Sequence, residues 1–433
     1  MEHPEIIRIP RDQHPVSRKQ ISESALKVLY RLNKQNHEAY LVGGGVRDIM
    51  VGIQPKDFDI VTDATPEEVR ALFRNSRIIG RRFKIVHVVF GREIIEVATF
   101  RAGAEDAVDR GHGDSHKRSD TGMLLRDNVY GSLEEDIIRR DFTINAMYYT
   151  TSDFSLVTLA TSLDDLDARQ IRMIGDPDQR YREDPVRMLR AVRFAAKLDF
   201  SIEHATAAPI ESMAHLLDNI PAARLFDDVL KLFMSGYGVR TYQRLQEYGL
   251  FRHLFPHTQA VLDQAPDEQY EALILSALKS TDDRIARDKS VTPAFIYAAF
   301  LWPVVETQTL SNRNAGTPPI PAQQQAIQEA ISLQGQRTSI PKRFQFTMRD
   351  IWELQSRLPN RQGNRAERLV THPKFRAAFD FMLLREASGV DLDGLGQWWE
   401  DYQNADEQSR QQMVGALGGQ RRKTRTRRKR PAL

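Results

Sequence analysis

Residues 41–62, LVGGGVRDIMVGIQPKDFDIVT, run three glycines into Arg47 and then set Asp57 and Asp59 on either side of Phe58. AYLV before the glycines and DFDIV after them read as short strands, bounded by glycine and proline. On a strand, residues two apart leave the same face, so Asp57 and Asp59 are expected to project together. Two carboxylates on one face repel unless a cation lies between them, and hard oxygen donors suit magnesium. Two such ions can clamp the attacking and leaving oxygens of a phosphoryl transfer. A solvent-facing strand edge is the ordinary alternative for an isolated Asp-x-Asp. Gly43, Gly44 and Gly45 shift the balance, because glycines let backbone amides approach a triphosphate, with Arg47 close by to neutralise it. Neither G-x-G-x-x-G nor G-x-x-x-x-G-K-[ST] occurs, which excludes the Rossmann and P-loop cradles.

Around this stretch, SESALKVLYRLNK (22–34) carries Ser22 as a helix cap and apolar residues at helical spacing. Thr65 and Pro66 open a second helix. KIVHVVFG and EIIEVATF (84–91 and 93–100) are β-branched runs separated by Gly-Arg, an antiparallel pair. Residues 102–122 are polar and glycine-rich and read as a mobile loop, and His112 and His116 within it lack carboxylate partners for a metal. From about Asp176 helix signals dominate, interrupted by a proline- and amide-rich connector at 308–325. The fold class is α+β: a mixed sheet with helices, then an all-α region.

EEDIIRRDFTINAMYY (134–149) reads as one helix, placing Ile137, Asp141 and Asn145 on a single face flanked by Arg139 and Arg140. An acid and an amide on that stripe suit a nucleotide sugar and its phosphates. A surface salt-bridge helix is the competing reading. In REDPVRMLRAVRFAAKL, from Arg182, Asp184 is expected as cap and Pro185 as first helical residue. Asp184, Arg187 and Arg190 then recur at three-residue spacing, one acceptor and two forked donors able to face the edge of a base.

Several function classes are excluded or constrained by composition. The 433 residues allow two to four structural units. Zero cysteines rule out disulfides and thiolate zinc. The most apolar run, Phe295–Val305, is too short for a bilayer, and the amino terminus has no secretory pattern, so a cytoplasmic protein without membrane contact is expected. The net charge is +3, but RRKTRTRRKR (421–430) holds eight basic residues, and removing them leaves the rest at −5. Such a run is expected to be disordered and to meet polyanions. Trp352, Trp398, Trp399 and Tyr402 lie in helical patterns and are expected to serve the core rather than stack bases.

Taken together, LVGGGVRD…GIQPKDFDIVT, RRDFTINAM and EDPVRMLRAVRFAAKL resemble, in order, the class II nucleotidyltransferases of the DNA polymerase β superfamily, which comprise poly(A) polymerases and CCA-adding enzymes. The resemblance spans roughly residues 20–260. It implies a polymerase-β-like catalytic head at 1–175, a helical neck binding nucleobase and RNA at 176–260, a helical RNA-binding body at 261–415 and a basic disordered tail at 416–433. It implies that Asp57 and Asp59 bind two Mg2+, with Mn2+ as a substitute, and that Asp141 is a further catalytic acid. Glu96, on a neighbouring strand, competes with Asp141 for the place of third carboxylate. Gly44, Gly45, Arg47, Arg140 and Asn145 would hold the nucleotide, and Asp184, Arg187 and Arg190 would read its base. GRRFKIVHVVFG, HPKFRAAFDFMLLR and the basic terminus favour the poly(A)-adding branch. The implied reaction is template-independent transfer of AMP from ATP to RNA 3′ ends, which promotes RNA processing and decay. CCA addition to tRNA is the alternative, and a catalytically silent RNA-binding protein is a second one. The partners would be single-stranded RNA 3′ ends and ATP, with RNA-decay or RNA-chaperone proteins as further candidates.

Overall fold

The computed structural model describes residues 4–80, 84–102, 116–118, 124–127, 129–264 and 268–419. Two compact units divide the chain, residues 1–216 and 217–433. The basic run 421–430, His112 and most of the 102–122 segment lie outside the described residues.

The first unit is built on an eight-stranded mixed sheet of order β1-β10-β9-β2-β3-β6-β5-β4. Its strands are β1 (Ile6–Ile9), β2 (Ala39–Val42), β3 (Asp59–Thr62), β4 (Ser76–Ile79), β5 (Ile85–Phe90), β6 (Glu93–Thr99), β9 (Met147–Thr150) and β10 (Leu156–Leu159). Between β6 and β9 a separate antiparallel pair, β7 (His116–Arg118) and β8 (Leu124–Asp127), replaces with regular backbone a part of the expected loop. Only β3 and β6 pair in parallel within the large sheet, in the register Asp59 with Glu96 and Val61 with Ala98. β5 and β6 form the expected hairpin, turning at Gly91 (φ 62°) and Arg92. Glycine at the first turn position accepts that positive φ without strain.

Helix α1 (Glu23–Lys34) starts where Ser22 Oγ accepts the Ala25 N–H, and it buries Val28, Leu29 and Leu32. It packs across β2, β3 and β6. α2 (Gly44–Met50) leaves β2 through Gly43, and α3 (Pro66–Leu72) is closed by a capping box of Thr65 and Glu68 with Pro66 in the first turn. On one side of the sheet Tyr40, Val42, Val61, Phe100, Tyr148 and Val157 form a cluster with Leu133 and Ile137 of α4 (Leu133–Ile138). α5 (Ala160–Asp167), α6 (Pro177–Glu183) and α7 (Val186–Leu198) complete the part that matters for the site.

Residues 134–149 are not one helix. α4 stops at Ile138, Phe142 is extended and bridges Met173, Thr143–Asn145 make one 3₁₀ turn, and β9 begins at Met147. Tertiary pairing overrides the helical spacing: the Thr143 N–H goes to Arg172 O (3.0 Å) and its hydroxyl to Asp165 (2.7 Å). α7 begins one residue later than expected, with Pro185 in the cap position, although Asp184 Oδ1 still accepts the Val186 N–H at 3.4 Å.

The second unit is helical among its described residues. Its longer helices are α8 (Ala222–Phe233), α9 (Gly238–Glu247), α10 (Gln269–Ala286), α11 (Pro293–Asn314), α12 (Pro319–Arg337), α13 (Lys342–Arg357), α14 (Phe375–Ala387), α15 (Leu395–Asn404) and α16 (Glu407–Gly419). The expected connector at 308–325 shrinks to residues 315–318, because α11 runs through Asn314 and Pro319 opens α12. Proline suits a first helical turn, so the proline pair marks a helix start rather than a long loop. α11 is buried on all sides from Ile296 to Pro303 and serves as the central packing helix, and among the described residues no helix is long and apolar enough to cross a membrane. Trp352 and Trp399 are buried and donate their indole N–H groups to Ala298 O and Leu358 O (both 3.1 Å), as core residues do.

Gly43 has φ 68° and ψ −130°, and an added Cβ would lie 3.4 Å from Arg140 Nη1. Gly43→Ala is therefore expected to cost about 1–3 kcal/mol of stability, measured by urea unfolding. A change below about 0.5 kcal/mol would show that this backbone is not constrained.

Candidate active site

The strand ladder brings carboxylates to one edge. β3 starts at Asp59, so Asp57 lies just ahead of the strand rather than on it. Asp59 is beside Glu96 in the β3–β6 register. Desolvation first, then Glu96 and Asp57, push the Asp59 carboxyl up to about 6, while Arg140 pulls the other way. Glu96 in turn meets His87 Nε2 of β5 at 3.2 Å. Among the described residues no three acidic or imidazole side chains form a ready-made metal cluster. Crowded carboxylates of this kind nevertheless fit Mg2+, which usually binds through one or two carboxylates and completes its shell with water and substrate phosphate.

Asp141 does not join that edge. Its Oδ2 accepts Arg190 Nε and Nη2 at 2.6 and 2.5 Å, and its Oδ1 accepts the Asn145 amide (3.1 Å) and the Phe142 N–H (2.8 Å). Burial would raise its pKa, but Arg190, Asn145 and the backbone donor outweigh burial and hold it well below the usual range. Asp141 and Asn145 are thus neighbours as expected, through a turn and a 3₁₀ segment instead of a helix face.

Arg47 is hydrogen-bonded within the protein. Expected at the triphosphate, it is 2% exposed and gives Nε and Nη2 to Asp48 Oδ1 (3.0 and 2.6 Å) and Nη1 to Asn145 Oδ1 (2.6 Å). Its guanidinium lies 5.0 Å from the Phe194 ring centre, and Arg190 lies 5.3 Å from the same ring. Asp48 takes a second cation, Lys197 Nζ, at 2.8 Å. α2 and α7 are thereby joined by Asp48–Lys197 at one point and by Arg47–Phe194 at another. Of the glycines, Gly44 is partly exposed, whereas Gly45 is buried and a Cβ there would meet Asp57 O at 3.4 Å.

Arg140 stands near Asp59, and its position is set by residues that the sequence reading passed over. Asp136, fully buried, accepts Arg139 (2.9 Å), Arg140 (3.3 Å), the Tyr148 hydroxyl (2.7 Å) and the Arg101 N–H (3.1 Å). Burial alone would raise Asp136, yet Arg139, Arg140 and Tyr148 bring it down to about 2. Arg140 also donates to the Tyr148 hydroxyl. Arg180 fixes the same turn from α6, donating to Arg139 O (2.5 Å) and Arg140 O (2.6 Å). Its partner Glu183 (3.0 Å) also accepts Arg187 Nη1 at 2.9 Å. Of the three expected base readers, Asp184 is half-buried, Arg187 is paired to Glu183, and Arg190 is engaged with Asp141. An acid three and four residues ahead of Arg139 and Arg140 was the available signal for Asp136, and adjacency to Arg47 the signal for Asp48.

Against known proteins, the "Poly A polymerase head domain" profile matches residues 39–172, "Probable RNA and SrmB-binding site of polymerase A" matches 199–262, and "Polymerase A arginine-rich C-terminus" matches 315–432. Poly(A) polymerase I of Salmonella typhi is 49% identical over 436 residues, 99% of this chain and 93% of that protein. The chain belongs to the poly(A) polymerase I family. A CCA-adding enzyme of Bacillus cereus strain Q1 is 37% identical over 237 residues, only 55% of this chain and 56% of that enzyme. A solved tRNA-processing enzyme in an apo form shares the fold at TM-score 0.62 and 21% identity, covering 94% of this chain and 97% of the other. This poly(A) polymerase family member is an enzyme, a polynucleotide adenylyltransferase, and its two-branch resemblance resolves toward the branch matched along nearly the whole chain.

Two measurements probe this arrangement. Asp48→Ala leaves Arg47 buried with its main acceptor gone and is expected to cost about 3–5 kcal/mol in urea unfolding, while Lys197→Met, at a partly exposed position, costs about 1 kcal/mol. Equal small effects would show that Asp48 is not the joint. Because the folded state favours protonated Asp59, wild type should lose stability relative to Asp59→Asn as pH rises from 3.8 to about 6 in chelator. Mg2+ should cancel that loss in thermal melts, and a pH-independent difference would contradict the crowding.

Proposed function

We propose that ATP is held and attacked at the edge formed by Asp57, Asp59 and Glu96, and that these carboxylates would hold the divalent ions. The observation that carries this is the convergence of Asp57 and Glu96 on Asp59, raised to about 6, beside a firmly positioned Arg140. When bound, Mg2+ supplies positive charge to the phosphates and lowers the cost of deprotonating the 3′ hydroxyl. The RNA 3′ hydroxyl gives its proton to a carboxylate of this edge, its oxygen bonds to the α-phosphorus, the bond from that phosphorus to the α–β bridging oxygen breaks, and pyrophosphate departs. Arg140, kept charged by Asp136 and Tyr148, offsets phosphate charge. Gly43 and the partly open Gly44 keep side chains out of the approach to the phosphates.

Asp141 and Asn145 shape the sugar side of the site, locked by Arg190 and Arg47. Asp184 and Arg187 present the base-reading edge, with Arg187 oriented by Glu183; Arg190 acts through Asp141. In this assignment Glu96 takes the place of third metal-facing carboxylate, and Asp141 is a positioning acid. The head at 1–175, neck at 176–260, body at 261–415 and tail at 416–433 divide catalysis from RNA holding. The chain adds AMP to single-stranded RNA 3′ ends.

A primer-extension gel with Mg2+, an RNA lacking a CCA end and each ribonucleoside triphosphate alone tests the reading. A long ladder with ATP only is expected. Extension that stops after one or two residues, or that needs a tRNA-like primer and CTP, would overturn it in favour of CCA addition. Asp57→Ala or Asp59→Ala should lower transfer by about 10³-fold or more while RNA binding stays within about twofold. Substantial turnover in either purified variant would refute the metal assignment.

A further inference from the structure

In the second unit, a groove of about 480 Å³ runs between α10 and α14. Its rim carries five cationic side chains, Lys279, Arg284, Arg287, Lys289 and Arg376, against two carboxylates, Asp283 and Asp380. Both carboxylates are already used: Lys279 meets Asp283 at 3.2 Å and Arg376 meets Asp380 at 2.9 Å, each pair one turn apart on its own helix. Arg284 donates to Ser290 O. Arg287 and Lys289, both exposed, have no acidic partner among the described residues. The floor is apolar, formed by half-buried Phe295, Leu383 and Leu384.

A surface cation normally finds a carboxylate within one helical turn at little cost. A groove that keeps two cations unpaired over an apolar floor suits a ligand that brings its own negative charge at regular intervals and a flat apolar face. Single-stranded RNA has both, in its phosphates and its bases. An acidic peptide supplies charge but has no comparable use for the floor. We infer that this groove holds the backbone of the RNA substrate, with Arg287 and Lys289 on phosphates and Phe295, Leu383 and Leu384 under a base.

The inference rests on the chain's binding of RNA, and none of its residues is one assigned to catalysis. Arg287 caps the carboxyl end of α10, about 12 Å of helix rise beyond Lys279, so the cations spread along the groove instead of crowding one point. The basic run at 421–430 carries eight further cations, and the full chain holds both.

The test uses the full chain and its Arg287→Ala/Lys289→Ala variant, with a fluorescently labelled 30-nucleotide single-stranded RNA titrated at several salt concentrations. Losing two phosphate contacts should weaken binding about tenfold and make the slope of log K against log salt shallower by about 1.4. KM for the RNA primer should rise with it, while KM for ATP, kcat and melting temperature stay unchanged. The charge-preserving Arg287→Lys/Lys289→Arg variant should behave as wild type. Unchanged RNA affinity and slope would overturn the inference. So would loss of poly-glutamate binding with RNA binding intact, which would make the groove a protein-docking site. If the wild type binds RNA but does not extend it, the catalytic reading fails while the binding comparison still decides the groove.

Discussion

The active half of the molecule depends on a guanidinium taken almost wholly out of water. A charge in that position is tolerable only when its donors are matched, and Arg47 is matched by Asp48, by Asn145 and by the face of Phe194. Each partner belongs to a different part of the site. Asp48 reaches on to Lys197, Asn145 reaches on to Asp141, and Phe194 lies under Arg190, which returns to Asp141. The closed circuit sets the glycine turn, the 3₁₀ segment and α7 in one register.

A second circuit governs the electrostatics of the carboxylate edge. Asp136 is buried without solvent and collects Arg139, Arg140 and the Tyr148 hydroxyl, which keeps it ionised down to about 2. Its value to the site is indirect: Arg140 is fixed close enough to lower Asp59 while Glu96 and Asp57 raise it. The balance leaves Asp59 raised to about 6. Crowded carboxylates suit a hard divalent cation.

Local signals were read well where the chain answers to its neighbours in sequence. Ser22 and Thr65 cap helices as their hydroxyls require, Gly91 turns a hairpin, and Pro66 sits in a first turn. Reading failed where distant groups overrode spacing. Asp141 and Asn145 stand four apart, as on a helix, but Arg172 and Asp165 pull Thr143 out of that path. The prolines near 318 looked like a connector because a proline stops a helix and starts one with equal ease, and only the packing of α11 against α12 distinguishes the two.

The sequence by itself determined the chemistry available: the glycine turn, the Asp-x-Asp pair, RRDFT and the Asp184–Arg190 spacing, and with them the family. Residue type and short spacing are enough for that, because they decide which atoms can bind metal, phosphate or base. Tertiary structure alone decided how those atoms are paired within the protein. Arg47 and Arg190 pair with acids inside the protein, and Glu96, which the sequence leaves in competition with Asp141, is brought beside Asp59 by a parallel ladder. Burial and cross-strand register depend on residues far apart in the chain, and no pattern within a motif contains them.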